Sequence, residues 1–90
     1  MLFVLIGHDG PRGQELRPKV RPAHLEYVRA AAQKGKIVLG GPFTDGSGSL
    51  IVFDAESQEE AARFADNDPY RKEGVFERLD IKPFQKVFPE

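Results

Sequence analysis

His8 and His24 are the only side chains in this sequence whose ordinary pKa, about 6.5, suits proton transfer near neutral pH. His24 lies four residues after Val20 and four before Val28. It shares a helical stripe with Tyr27 and Ala31, so its imidazole is expected to face a sheet and not water. That makes it the candidate general acid/base. The competing role is a core histidine bonded to backbone or to a serine hydroxyl. Asp9, at the rim of the first strand, is the candidate partner that orients the imidazole or takes its proton. Asp-Gly-Pro is equally a turn signal, because Asp readily bonds its own backbone. Ser49, Asp45, Tyr70 and His8 are candidate substrate contacts. Three of them have a structural counterpart reading: Ser49 opens a strand, Asp45 serves a hairpin, and alternation with Asp9 sends His8 to the opposite sheet face if the strand persists. Asp68 reads as a helix N-cap.

Several chemistries are excluded by pattern. No G-x-S-x-G elbow surrounds any serine, and no P-loop or dinucleotide glycine pattern is present. Gly40-Gly41-Pro42 is too short to cradle a phosphate. The two histidines lack metal-ligand spacing, and cysteine is absent, which removes thiolate sites, disulfides and Cys nucleophiles together. Neither a metal nor another cofactor is expected.

These residues must be positioned by a short series of elements. Met1–Ile6 is an apolar run of strand length, stopped by Gly7-His8-Asp9-Gly10-Pro11, with Arg12–Arg17 reading as loop. A helix follows and ends at Lys34-Gly35, where glycine supplies the left-handed residue. Its start is ambiguous, because Pro18 and Pro22 cannot both be first-turn prolines. Lys36–Leu39 reads as a second buried strand and Ser49–Phe53 as a third, joined through Asp45-Gly46. Ser57-Gln-Glu-Glu60 is a capping box that starts a second helix. Asp68-Pro69 ends that helix and, with Gly74, spells one extra helical turn. Val75, Leu79 and Ile81 set up a fourth strand, with Phe76, Arg78, Asp80 and Lys82 on its other face.

Strand, helix, strand, strand, helix, strand is the order of a ferredoxin-like βαββαβ fold: α+β, an antiparallel sheet with two helices on one face. In that topology one end of the sheet gathers His8, Asp9, the start of the first helix, Gly41–Asp45, Ser49 and the Asp68-Pro69-Tyr70 turn. The other sheet face is left bare although three strands are apolar on both sides. A second copy is the simplest cover, so a homodimer is expected.

Composition sets the outer bounds. Ninety residues make one small domain, 1–90. Thirteen Lys and Arg against fourteen Asp and Glu give a net charge of -1, with no basic field for nucleic acid. The six-residue apolar N-terminus is too short for a membrane span and lacks the features of a signal peptide. A cytoplasmic location is the corresponding expectation.

Arg21-Pro22-Ala23-His24-Leu25, Gly40-Gly41-Pro42 and Gly48-Ser49 resemble the YciI-like family (YCII-related domain). So do Asp68-Pro69-Tyr70, Gly74-Val75 and the terminal Ile81–Phe88 run, and the resemblance spans essentially the whole chain. It implies a dimeric α+β barrel and a pocket centred on a histidine/aspartate pair, which would fall on His24 and Asp9. One relative eliminates chloride from a chlorinated hydroxyquinol, and related folds include muconolactone isomerase. The sequence departs from better-known members in a shorter Pro42–Gly48 loop and in His8 before Asp9, so no substrate is carried over. The functional expectation is a small cofactor-free enzyme that moves a proton by elimination or isomerisation on an aromatic or enolisable substrate. The alternative is a non-catalytic dimeric module that binds a small metabolite or supports a partner. A His24 walled in by apolar side chains and bonded to backbone would favour that alternative.

Overall fold

Alternation along the first strand divides its side chains between two surfaces, and the rest of the chain assembles on one of them. The computed structural model describes residues 1–90. Its elements are β1 (Leu2–Asp9), α1 (Gly13–Gln33), β2 (Ile37–Pro42), β3 (Gly48–Asp54), α2 (Gln58–Asp66), α3 (Pro69–Lys72) and β4 (Phe76–Phe84). The strands form one antiparallel sheet in the order β2-β3-β1-β4. This is the ferredoxin-like arrangement. Phe3 and Leu5 of β1 stand opposite Phe53 and Ile51 of β3, and Ala31 of α1 with Ala61 and Ala65 of α2 close over them. Both long helices therefore lie on one sheet face. The other face carries Val4, Ile6, Leu50 and Val52 at its centre and Leu39, 57% exposed, toward its edge. No helix is long and apolar enough to cross a membrane.

Helix α1 departs from its sequence reading at its start. Arg12–Arg17 is not a loop, since the helix begins at Gly13 and contains both prolines. Neither proline donates a backbone hydrogen bond, so the helix forgoes two rungs of its ladder. Two side-chain anchors hold its first turns instead: Gln14 Nε2 donates to Gly46 O at 3.1 Å, and Arg17 binds the end of the sheet. Both anchors are long-range, and local signals do not reveal them. The end is as expected. Gly35 adopts φ +76°, and the amides of Gly35 and Lys36 return to Ala32 and Ala31 in a Schellman closure.

Strand β2 extends to Pro42 and is an edge strand, mostly exposed rather than buried. In the capping box, Ser57 Oγ accepts from Glu60 N at 3.1 Å as expected. The Glu60 carboxylate reaches one residue further back, to Glu56 N at 2.8 Å. It also accepts from Lys36 Nζ at 2.7 Å, and that bond holds its carboxyl below the usual range. The α3 turn forms as read, with Asp68 as N-cap and Pro69 at its start.

Phe76 is the second departure. Strict alternation would place it with Arg78 and Asp80 on the bare face, yet it is buried on the helix side. A β-bulge explains this. His8 pairs with Arg78 and Asp9 with Phe76, which leaves Glu77 as the extra residue. The Phe76 ring then fills the space beside Gly7, where a Cβ would stand 2.5 Å from it.

Candidate active site

Helix α1 and the sheet enclose a cavity of about 670 Å³ whose walls include Leu5, Ile51, Phe76, Leu79 and Val28. The polar groups in it come from three places. The cavity-facing stripe of α1 supplies half-buried Arg17 and His24 and exposed Arg21, the start of β3 supplies Ser49, and the α3 turn supplies Asp68 and Tyr70.

His24 Nδ1 lies 2.7 Å from Asp68 Oδ1, with both side chains nearly buried, 13% and 5% exposed. The same Oδ1 accepts from Tyr70 N at 2.9 Å, which is the cap that starts α3. A carboxylate can only accept here, so Nδ1 carries a hydrogen, and in the neutral ring the lone pair lies on Nε2. Nε2 has no hydrogen bond within the chain, and no buried side-chain nitrogen or oxygen lacks a partner. Nε2 is therefore open to the cavity. The imidazole lies flat on the Tyr70 ring, centroids 3.8 Å apart and planes 6° apart, and Tyr70 is held edge-on by Phe76. An imidazole with an oriented Nδ1–H, a free Nε2 and a rigid backing can take a proton and return it.

Asp9 does not join this pair. Its two oxygens accept from Arg17 Nε and Nη2 at 2.7 and 2.8 Å, and it lies behind Arg17, away from the cavity wall. The cause is the early start of α1, which swings Arg17 over Asp9. Ser49 and Tyr70 do line the cavity, and Ser49 Oγ accepts from Arg17 Nη2 at 3.0 Å. Asp45 and His8 do not. Asp45 Oδ1 accepts from Ser47 N at 2.9 Å in the β2–β3 turn, and hydrogen bonding from the Ser47 side chain, then from this amide, lowers its carboxyl pKa. His8 points to the bare face, where its Nε2 lies 2.8 Å from Asp80 Oδ2 and pulls that carboxyl below its usual range.

Asp68, read from sequence as a cap alone, and Arg17 and Arg21 are the site residues that reading missed. Positions 17, 21, 24 and 28 follow helical spacing, a signal that becomes visible once the helix is extended back to Gly13. No three His, Asp or Glu side chains converge as a metal site requires.

The YCII-related domain model matches residues 1–85. The chain belongs to the YCII-related domain family. It is 36% identical over 98 residues to Protein YciI of Escherichia coli O6:H1, spanning 98% of this chain and all of that one. It is 35% identical over 80 residues to the derivative of benzaldehyde biosynthesis cluster protein C of Emericella nidulans, spanning 76% and 82% of the two chains. Among solved structures this YCII-related chain is similar to 5-chloro-2-hydroxyhydroquinone dehydrochlorinase from Burkholderia phenoliruptrix AC1100, in complex with 2,5-dihydroxybenzoquinone. The TM-score is 0.86 at 31% identity, covering 97% of this chain and 96% of that one.

Proposed function

We propose that the protein is a small acid/base enzyme in which His24 Nε2 moves a proton on a small hydroxylated ring, by elimination or isomerisation. The observation that carries this is the His24–Asp68 pair. One imidazole nitrogen is held by a buried carboxylate, and the other opens onto an apolar cavity of substrate size. This replaces Asp9 by Asp68 in the pair expected from sequence. In an elimination, Nε2 takes a proton and the leaving group departs with its bonding electron pair. In an isomerisation, the imidazolium returns the proton to another atom. The similarity to a dehydrochlorinase that binds 2,5-dihydroxybenzoquinone supports a planar, oxygenated ring as the substrate class. A His24 sealed by apolar side chains and bonded to backbone would have favoured the non-catalytic reading; His24 bonded to the Asp68 carboxylate supports the catalytic one.

The test is turnover of a panel of substituted hydroxyquinols, 5-chloro-2-hydroxyhydroquinone included, by native protein and by His24→Asn. Positioned acid/base groups contribute about 10²–10⁴-fold, so His24→Asn should lose at least the lower figure with the fold intact. Equal rates would refute the assignment. The bare, apolar sheet face supports a homodimer as the working assembly. Sedimentation at micromolar concentration should show about twice the 10.1 kDa chain mass, and a stable monomer would remove that assignment.

A further inference from the structure

One side of the cavity holds donor groups that the chain's own acceptors do not exhaust. Arg17 spends Nε and Nη2 on Asp9 and Ser49, which locks the guanidinium plane and leaves Nη1 without a partner. Arg21, one turn further along α1, lines the same cavity and makes no ion pair or hydrogen bond within the chain. The Tyr70 hydroxyl oxygen sits beside the Arg17 guanidinium, which interacts with it, and its own proton has no acceptor within the chain, though the residue is 3% exposed. No buried side-chain polar atom is left unpartnered, so the hydroxyl and Nη1 keep accessible surface, and both residues line the cavity. The Arg17 guanidinium carbon stands 5.0 Å from the Tyr70 ring centroid. Burial leaves the Tyr70 hydroxyl pKa raised, while Arg17 and then Arg21 act to lower it, which places both cations within electrostatic reach of that oxygen.

The charges around the cavity do not cancel. Asp9 balances Arg17, and Asp68 accompanies His24. Arg21 is left as a cation without a counterion. Donors from three residues lining one cavity, with one uncompensated positive charge in largely apolar walls, suit an oxygen-centred anion.

We infer that Arg17 Nη1, Arg21 and the Tyr70 hydroxyl form an oxyanion-binding end of the cavity, which selects ligands with a phenolate, enolate or carboxylate oxygen at one ring edge. Arg17 and Tyr70 are the preorganised members, one locked by Asp9 and the other by its stack on His24. Arg21 is more exposed and supplies the selecting charge. This deepens the proposed function: when Nε2 removes a proton, negative charge develops on a ring oxygen, and donors already in place need not reorganise.

The test uses two neutral-ring probes that differ in charge, 2,5-dihydroxybenzoate and 2,5-dihydroxybenzamide, with binding measured by titration calorimetry at low and moderate salt. Native protein should bind the carboxylate about tenfold or more tightly than the amide, as charge-assisted bonds outweigh neutral ones. The preference should shrink as salt rises, because Arg21 is exposed. In Arg21→Gln the two probes should bind within about threefold of each other. That substitution lies at an exposed position and leaves the fold intact. Tyr70→Phe keeps the stacked ring and should weaken the carboxylate more than the amide. Equal binding of both probes by native protein, no carboxylate binding at all, or a preference that survives Arg21→Gln would each overturn the inference. His24→Asn separates it from the proposed function: that variant loosens Tyr70 but leaves Arg21 and the Asp9-locked Arg17 in place, so it should keep a reduced carboxylate preference while losing turnover. Turnover that survived His24→Asn would sink the acid/base role and leave the anion preference standing.

Discussion

Asp68 Oδ1 holds two groups at once, the His24 ring at 2.7 Å and the Tyr70 amide at 2.9 Å, so shape and charge can be separated at this one residue. Asparagine keeps an oxygen in the same place. Asp68→Asn should therefore retain the N-cap of α3 and the Nδ1 tautomer while removing the negative charge. Asp68→Ala removes everything. Its cost combines a lost cap, about 0.5–2 kcal/mol, with a buried imidazole N–H left without an acceptor, about 1–3 kcal/mol. For a domain of this size that lowers Tm by on the order of 10 °C or more. The Asn variant should stay within a few degrees of native. Its defect should appear in catalysis, because the imidazolium formed after proton transfer loses its charged partner. Hydrogen bonds to charged groups are worth about 1.5–3 kcal/mol, which converts to roughly 10- to 150-fold in rate. Thermal denaturation reads the first quantity. Loss of a substrate ring C–H signal in deuterated buffer, followed by proton NMR, reads the second. If Asn were as destabilising as Ala, the shared oxygen would not be what holds the cap. If Asn exchanged protons at the native rate, the charge would have no part in the chemistry.

Gly7→Ala sets a Cβ against the Phe76 ring and should cost about 1–3 kcal/mol by overpacking. Phe76→Leu in the same chain should recover part of that loss in Tm, and no recovery would place the strain elsewhere. Ser57→Ala should cost about 0.5–2 kcal/mol through the lost cap and leave carboxylate-probe affinity unchanged, since α2 starts at the far end of the sheet. Tyr27 donates its hydroxyl proton to Phe64 O at 2.7 Å, and burial, with a smaller effect from Asp68, pushes its phenol up to about 12 from 10.0. The native state thus keeps this proton after the unfolded chain has lost it. The stability it contributes is whole below pH 10 and fades as pH rises through 12. Denaturant midpoints measured across that range should fall less steeply in Tyr27→Phe.

The fold was legible because its signals are local. The Schellman closure at Gly35, the Ser57 cap and the Asp68-Pro69 turn each act within a few residues of the sequence that spells them. The site was legible in part. Helical spacing put His24 on the cavity side of α1, and the strand–helix order brought Ser49 and Tyr70 to the same region. The pairing of charges was not legible, because it depends on where α1 begins. Read from Pro18, the helix leaves Asp9 free for His24. Begun at Gly13, it carries Arg17 onto Asp9, and His24 turns to a carboxylate 44 residues away. Phe76 was misplaced for a similar reason, since a bulge is set by cross-strand pairing and leaves no mark in the alternation of one strand.

That bulge has a consequence for how the length of this segment should be counted. Inside and outside along a strand are a matter of parity, odd positions to one face and even to the other. Across Glu77 the parity resets: Phe76 and Arg78 face opposite ways as neighbours do, although they are two apart. In this count Glu77 weighs nothing. A chain lacking it would keep Phe76 under Gly7 and Asp80 beside His8 with a regular ladder. Removing one residue from the regular stretch on the other side, between Leu79 and Pro83, would exchange every inward and outward side chain beyond the cut. Two segments of one strand thus differ in what they can lose, and Phe76 of the cavity wall stands on the tolerant one.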